Sequence, residues 1–284
     1  MAVYRDHICC YGCGFRIDRR MEALAYLLQL SVVGAIKRAA EFYEHEPPAK
    51  EEKALRPLSP ALASVYQGLL WEGRRDRLSW LRQRGLSDEI ITAAQLGHDT
   101  TRFTIPVFDD KGRLVTIRFR RDDLFGVSWW DSKNHTLRKL PKYSGISKYN
   151  DVCLYPVLDP SHRHVFVTEG ELDALRLIQE GYHAVTVTNG AGQMGRLFEL
   201  LPSQIEMLYL VGDQDVVGRQ ATHELFIEAT KRGYRVAMAS WDLSWGKDVT
   251  DLYLGGRSLE DVKWTVTGVA RSRHPVTPEF RATA

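Results

Sequence analysis

From Val165 onward, short apolar runs alternate with amphipathic stretches in a regular rhythm. VFVTE, AVTVTN, MLYLVGD and RVAMASW are compact apolar runs and predict strands. LDALRLIQEG, the segment through Arg196–Leu201, and RQATHELFIEATKRG carry helical spacing, and SLEDVKWTV reads as a short closing helix. Such β-α alternation predicts a parallel sheet covered by helices. Upstream the period is two: FTIPVF, the turn DDKGR and LVTIRF predict a hairpin. Residues 122–150 read as polar, aromatic and irregular. Residues 60–95 are helical, with apolar stripes from Tyr66, Leu69, Leu70, Leu78, Leu81 and Ile90, punctuated by Gly85. Residues 20–44 have helical period with a break near Leu30–Ser31, and the Pro-rich, charged residues 45–58 read as a linker. The pattern therefore divides the chain into 1–44, a linker over 45–58, 59–160, an α/β domain over 161–262 and a tail over 263–284. No internal repeat is visible.

A chain of 284 residues, 44% hydrophobic and 26% charged, has room for one large or two modest domains with real cores. No apolar run reaches membrane-span length and the first residues lack a secretory core, so no membrane association and a cytoplasmic location are expected. Net charge is only +2, and the distribution says more. Basic residues cluster at Arg74, Arg75 and Arg77, at Arg82 and Arg84, at Arg118, Arg120 and Arg121, and at Arg138, Lys139 and Lys142. Acidic residues gather in the C-terminal half. A basic half beside an acidic pocket suits a phosphate backbone led toward a metal site, although any one cluster also fits a solvated face.

In an open parallel sheet, ligands bind beyond the carboxyl ends of the strands. Three acidic signals fall at such ends. Glu169 follows VFVT, with Gly170 allowing a tight turn. Asp213 and Asp215 follow LYLVG in GDQDVVG. Asp248 and Asp251 follow RVAMASW and its loop in GKDVTD. Residues two apart in extended chain point the same way, so Asp213 and Asp215 can aim at one point. Adding Glu169 concentrates negative charge that calls for a proton or a cation, and hard oxygen donors suit Mg²⁺ or Mn²⁺. The plainer readings are a helix cap for Asp213 and a salt-bridge partner for Asp173.

TEGELDAL, GDQDVVGRQA and GKDVTDLYL together resemble the Toprim signature of primases, with EGELDAL closer to phage and organellar primase-helicase relatives than to the bacterial DnaG type. Upstream, FTIPVFDDKGRLVTIRFR and LPKYSGISKYNDVCLYPV resemble the catalytic core of DnaG-type primases. WLRQRGLSDEIITAAQLG resembles the helical stretch before that core. HICCYGCGFRID with AYLLQLSVVGAIKRAAEFY resembles the second half of the primase zinc ribbon and its trailing helices. The resemblance runs in order over about residues 5 to 256. It implies a Toprim domain preceded by a basic α+β primase-core subdomain and a partial zinc-ribbon and helical segment. It makes Glu169 the central acid, with Asp213 and Asp215 also catalytic, and Asp248 a further metal ligand. Thr250 stands where the DnaG pattern often has another Asp, leaving Asp251 as replacement or a site with fewer carboxylates. Arg120, Lys142 and Lys148 would contact template or nucleotide phosphates; Arg118 is a further candidate, with a solvated strand face as its alternative.

Cys10-x-x-Cys13 supplies one ligand pair of a Zn²⁺ ribbon, which needs four ligands. The family's other pair is expected upstream. That leaves a degenerate ribbon, a trimmed or misassigned start, or an unusual site using His7, Cys9, Cys10 and Cys13. Cys153 reads as core. No Walker-type phosphate loop appears. The implied activity is synthesis of RNA primers from ribonucleoside triphosphates on a single-stranded DNA template, with a replicative helicase or polymerase as possible partner. A Toprim nuclease and a non-catalytic nucleic-acid-binding accessory protein are the alternatives.

Overall fold

The computed structural model describes residues 58–124, 128–131, 136–139, 141–146, 149 and 151–267, with three two-residue strands nearer the N-terminus. Cys10, Cys13, Lys148, the helices expected over 20–44 and the tail beyond 267 lie outside the described residues. The chain divides into two compact units, Met1–Leu55 and Arg56–Ala284. In the first, β1 (Ala2–Val3), β2 (Ile8–Cys9) and β3 (Arg16–Ile17) pair antiparallel in that order.

The second unit opens with α1 (Ala61–Gly68), a π-helical turn over Leu69–Gly73, α2 (Arg75–Gln83) and α3 (Asp88–Ala93). Leu70, Leu78 and Leu81 of the expected stripe are buried. Gly85, at φ +77°, ends α2 in the left-handed conformation that glycine adopts without penalty. Ser87 then caps α3 by accepting the Ile90 N–H at 3.3 Å.

An antiparallel sheet follows, in the order β4 (Gly97–His98), β5 (Arg102–Phe108), β6 (Leu114–Arg121) and β9 (Tyr143–Gly145). The β5–β6 pair is the expected hairpin, with Phe103 opposite Arg120 and Ile105 opposite Arg118. Along β6, Ile117 and Phe119 face one core cluster while Arg118 and Arg120 alternate to the other side. The stretch read as irregular also contains an antiparallel pair, β7 (Ser128–Asp131) with β8 (Thr136–Lys139). Its strands are four residues each, too short for a period-two signal to stand out among the polar residues.

The remaining elements build a six-stranded sheet in the order β10, β12, β11, β13, β14, β15. They are β10 (Leu154–Tyr155), β11 (His164–Thr168), α4 (Glu171–Gln179), β12 (Ala184–Val187), a 3-10 turn Ala191–Arg196 leading into α5 (Leu197–Leu200), β13 (Met207–Val211), α6 (Val216–Lys231), β14 (Arg235–Ser240), a 3-10 turn Leu243–Trp245, α7 (Val249–Leu254) and β15 (Lys263–Val266). The four inner strands are parallel and the two edge strands antiparallel. The segment read as a closing helix is instead a turn and the edge strand β15. Val262, Trp264 and Val266 recur every second residue, and Leu259 at helical distance from Val262 disguised that period.

Both faces of this sheet are covered. Phe166, Tyr209 and Ala237 point to the side holding Ala174 and Leu177 of α4. Val165, Val167, Leu208 and Leu210 point to the side holding Leu225 and Ala229 of α6. Helix α4 serves two cores at once. Leu172 and Leu175 pack with Leu70, Leu81, Phe103 and Ile105 of the preceding half, while Ala174 and Leu177 pack on the sheet. Among the described residues, no helix is long and apolar enough to cross a membrane.

Candidate functional site

The connections leaving β11 and β13 run to opposite faces of the sheet, α4 on one and α6 on the other. A crevice opens where neighbouring connections diverge. Thr168 lies opposite Val211 in register, so Glu169 and Gly212–Asp213 emerge side by side at that crevice. The cleft, about 400 Å³, is walled by Glu169, Asp213, Lys247, Asp248 and Asp251 on the sheet side. Arg118, Arg120, Lys142 and Tyr143 wall it on the hairpin side, with Arg84 and the first turn of α4 completing it. The structure thus brings together every described residue expected at the site except Asp215, which lies one contact away through Lys247.

The carboxylates are held in distinct ways. Glu169 is partly buried; desolvation, then the charge of Asp213, raises its carboxyl above the usual range. Burial raises Asp213 as well, opposed by Lys247. Asp215 caps α6, its Oδ1 accepting the Gly218 N–H at 2.8 Å; that bond, then Lys247, lowers its pKa. The cap expected of Asp213 is therefore made by Asp215. Gly218 is required here, because a β-carbon would run into Asp213. Asp248 caps α7 through the Asp251 N–H at 2.8 Å and lies 3.3 Å from Arg84 Nη2. Asp251 accepts the Lys247 N–H at 3.2 Å and stands 4.0 Å from Arg84 Nη1. Among the described residues, no three Asp, Glu, His or Cys side chains converge with the spacing of metal ligands. Asp213 and Asp215 converge instead on the Lys247 ammonium, at 3.0 and 2.9 Å.

Asp173, for which a salt bridge is the plainer reading of the sequence, makes no such pair among the described residues. Thr250 Oγ donates to its Oδ1 at 2.7 Å, and burial, then the charge of Asp248, push its carboxyl up to about 7. Gly170 leaves it room, since a β-carbon there would stand 2.9 Å from Asp173 Oδ2.

The cationic wall is less solvated than the sequence implied. Arg118 is buried, 3.3 Å from Glu171 Oε1 and donating to Asn189 Oδ1 at 2.5 Å, so the solvated-face alternative does not hold. Arg120 is buried against the Trp80 ring, 4.3 Å from its centroid, and donates to the Arg121 carbonyl. Lys142 is exposed at the mouth. Several other basic residues serve the fold: Arg77 bonds Asp122 at 2.6 Å, Arg82 pairs with Asp88 at 2.7 Å, and Arg121 with Asp123 at 2.6 Å.

Sequence reasoning did not assign Arg84, Glu171, Asp173, Asn189 or Lys247 to the site. Lys247, Asp173 and Glu171 sit inside the quoted motifs, and the Asn189–Gly190 pair, both at positive φ, is a turn signal at the end of what the apolar pattern treats only as a strand. Arg84 and Glu171 also lie within quoted stretches, but their place at the site depends on tertiary approach.

Residues 166–253 match the family model described as Toprim-like. The fold is that of primase catalytic cores. The zinc-binding and RNA polymerase domains of Aquifex aeolicus primase align over 92% of this chain and 74% of that one, with TM-score 0.53 and 16% identity. The RNA polymerase domain of Mycobacterium tuberculosis primase DnaG aligns over 71% of this chain and 80% of that one, with TM-score 0.50 and 20% identity. A DnaG catalytic core aligns over 72% and 78%, with TM-score 0.50 and 17% identity. No curated protein sequence matches the chain. Residues 166–253 thus carry the Toprim-like match within a fold similar to that of primase catalytic cores.

Proposed function

We propose that this chain is a primase-type nucleotidyltransferase that joins ribonucleotides on a single-stranded DNA template. The observation that carries this reading is one cleft with two chemically opposed walls. Asp213, Glu169 and Asp248 face Arg118, Arg120 and Lys142 across it. In the reaction, the 3′-hydroxyl of one nucleotide attacks the α-phosphate of the next, a new P–O bond forms, and pyrophosphate leaves as the bond to the β-phosphate breaks. The hydroxyl proton passes to solvent or to a carboxylate at the cleft. Hard oxygen donors at Asp213 and Asp215 already hold one cation, the Lys247 ammonium, and suit Mg²⁺ or Mn²⁺. Such an ion, once bound, supplies positive charge to the phosphoryl oxygens. Glu169 and Asp248 are the further ligands in this reading, with Asp251 beside them.

The hairpin wall neutralises and orients phosphate. Arg118 and Arg120 are held by Glu171, Asn189 and Trp80, so little side-chain entropy is lost when phosphate arrives. Exposed Lys142 extends this cationic wall to the mouth of the cleft. Incubation with ribonucleoside triphosphates, Mg²⁺ or Mn²⁺ and varied single-stranded templates is expected to yield short RNA, and Asp213→Ala to abolish it. If the wild-type chain forms no dinucleotide on any template, the reading fails. Metal-dependent cutting of single-stranded DNA without nucleotides would replace it with a nuclease.

A further inference from the structure

Lys247 occupies an unusual place for an ordinary surface lysine. Its Nζ sits 3.0 Å from Asp213 Oδ2 and 2.9 Å from Asp215 Oδ2, bridging the cleft carboxylate that follows β13 and the carboxylate that caps α6. Its backbone is pinned. The carbonyl accepts the Gln214 N–H at 2.7 Å, and the N–H donates to Asp251 Oδ2 at 3.2 Å. Gly246 before it has φ +127°, and a side chain there would collide with Asp251, so only glycine lets the loop turn this closely. The side chain beyond this fixed point is half exposed, at 49%. A tethered stem with a solvent-facing flank can leave the carboxylates without moving the loop.

The Asp213 and Asp215 carboxylates reach the same nitrogen at 3.0 and 2.9 Å, and two negative charges so close repel each other. An ammonium between them relieves that repulsion, but it fills the space any incoming cation needs. Resting on the metal-binding reading above, we infer that Lys247 is an internal competitor for the divalent cation. Its ammonium compensates Asp213 and Asp215 until metal arrives, and metal entry expels it onto the cleft wall. A lysine with a purely structural role would stabilise the loop without altering metal affinity.

The test is Mn²⁺ titration of the full chain without nucleotide, followed by the paramagnetic signal of free Mn²⁺. Lys247→Met is expected to bind Mn²⁺ ~2- to 5-fold more tightly than wild type, the scale of a partly exposed ion pair. Lys247→Arg keeps the competing charge and should stay close to wild type. Asp213→Asn should abolish binding in both the wild-type and Lys247→Met backgrounds. Unchanged or weaker binding in Lys247→Met, with Asp213→Asn still abolishing it, overturns the competitor role and leaves the metal reading standing. Binding unaffected by Asp213→Asn, or absent from every variant, overturns the metal reading and this inference with it. Melting in chelator guards against misfolding: a folded Lys247→Met should melt below wild type and recover more on adding Mn²⁺.

Discussion

Thr250, at the position where the resemblance to DnaG-type primases implies an acid, donates its hydroxyl to Asp173 at 2.7 Å. Another carboxylate there would add repulsion to a group already pushed up to about 7 by burial and Asp248. The raised value fixes a direction for stability. The folded form holds a proton that the unfolded chain releases near 3.8, so this group costs stability progressively as pH rises from 3.8 to about 7. The full cost is present above that. Asp173→Asn keeps a neutral side chain and is expected to be more stable than wild type at pH 8, with the gap closing toward pH 4. Urea unfolding at several pH values in chelator measures this, and a gap independent of pH would refute it. At this scale the sequence revealed the acids that follow strands, because strand period and strand end are local. It did not reveal that Lys247 and Arg84 would reach those acids, since both contacts depend on how separate segments meet.

Helix α4 shows how one element fixes the geometry of the cleft. Its first turn carries Glu171 and Asp173, and Gly170 before it frees space for Asp173. Its apolar positions divide between two cores, so its placement is set from both sides. Leu175→Ala removes a side chain that is only 2% exposed, and is expected to cost about 2–5 kcal/mol in denaturant unfolding. A cost below 1 kcal/mol would mean that the two halves do not depend on this contact. The helix itself was legible as an apolar stripe, and so were β5, β6 and the parallel strands. The pattern misjudged elements whose apolar positions fit more than one period. Strand β15 was read as helix, while α7, six residues begun by the Asp248 cap, was absorbed into a motif. The β7–β8 pair was lost among polar residues.

For the whole second unit, the likeness to primase cores is one of fold, at 16–20% identity. The order of motifs along the chain was enough to expect that architecture, because each motif marks an element at a fixed place in the sheet or hairpin. Charge clusters were a poorer guide. Some arginines counted as a polyanion-binding surface are engaged within the fold, as Arg77 is with buried Asp122, while Arg82 pairs with Asp88 at the surface. The basic residues left for the proposed nucleic-acid contact are therefore fewer than the count of clusters implies, with Arg118, Arg120 and Lys142 at the cleft.

The double burial of α4 also limits how the molecule can be divided. A fragment beginning near residue 161 would retain Leu172 and Leu175 but lose the Leu70, Leu81, Phe103 and Ile105 side chains that cover them. Expressed alone, that Toprim-like piece should bind a hydrophobic dye and self-associate in sedimentation, whereas a piece beginning near residue 58 should stay monodisperse. Modular exchange of this half between proteins would then require the partner's oily counter-surface to travel with it, making the pair, rather than the signature motifs, the unit that can be moved.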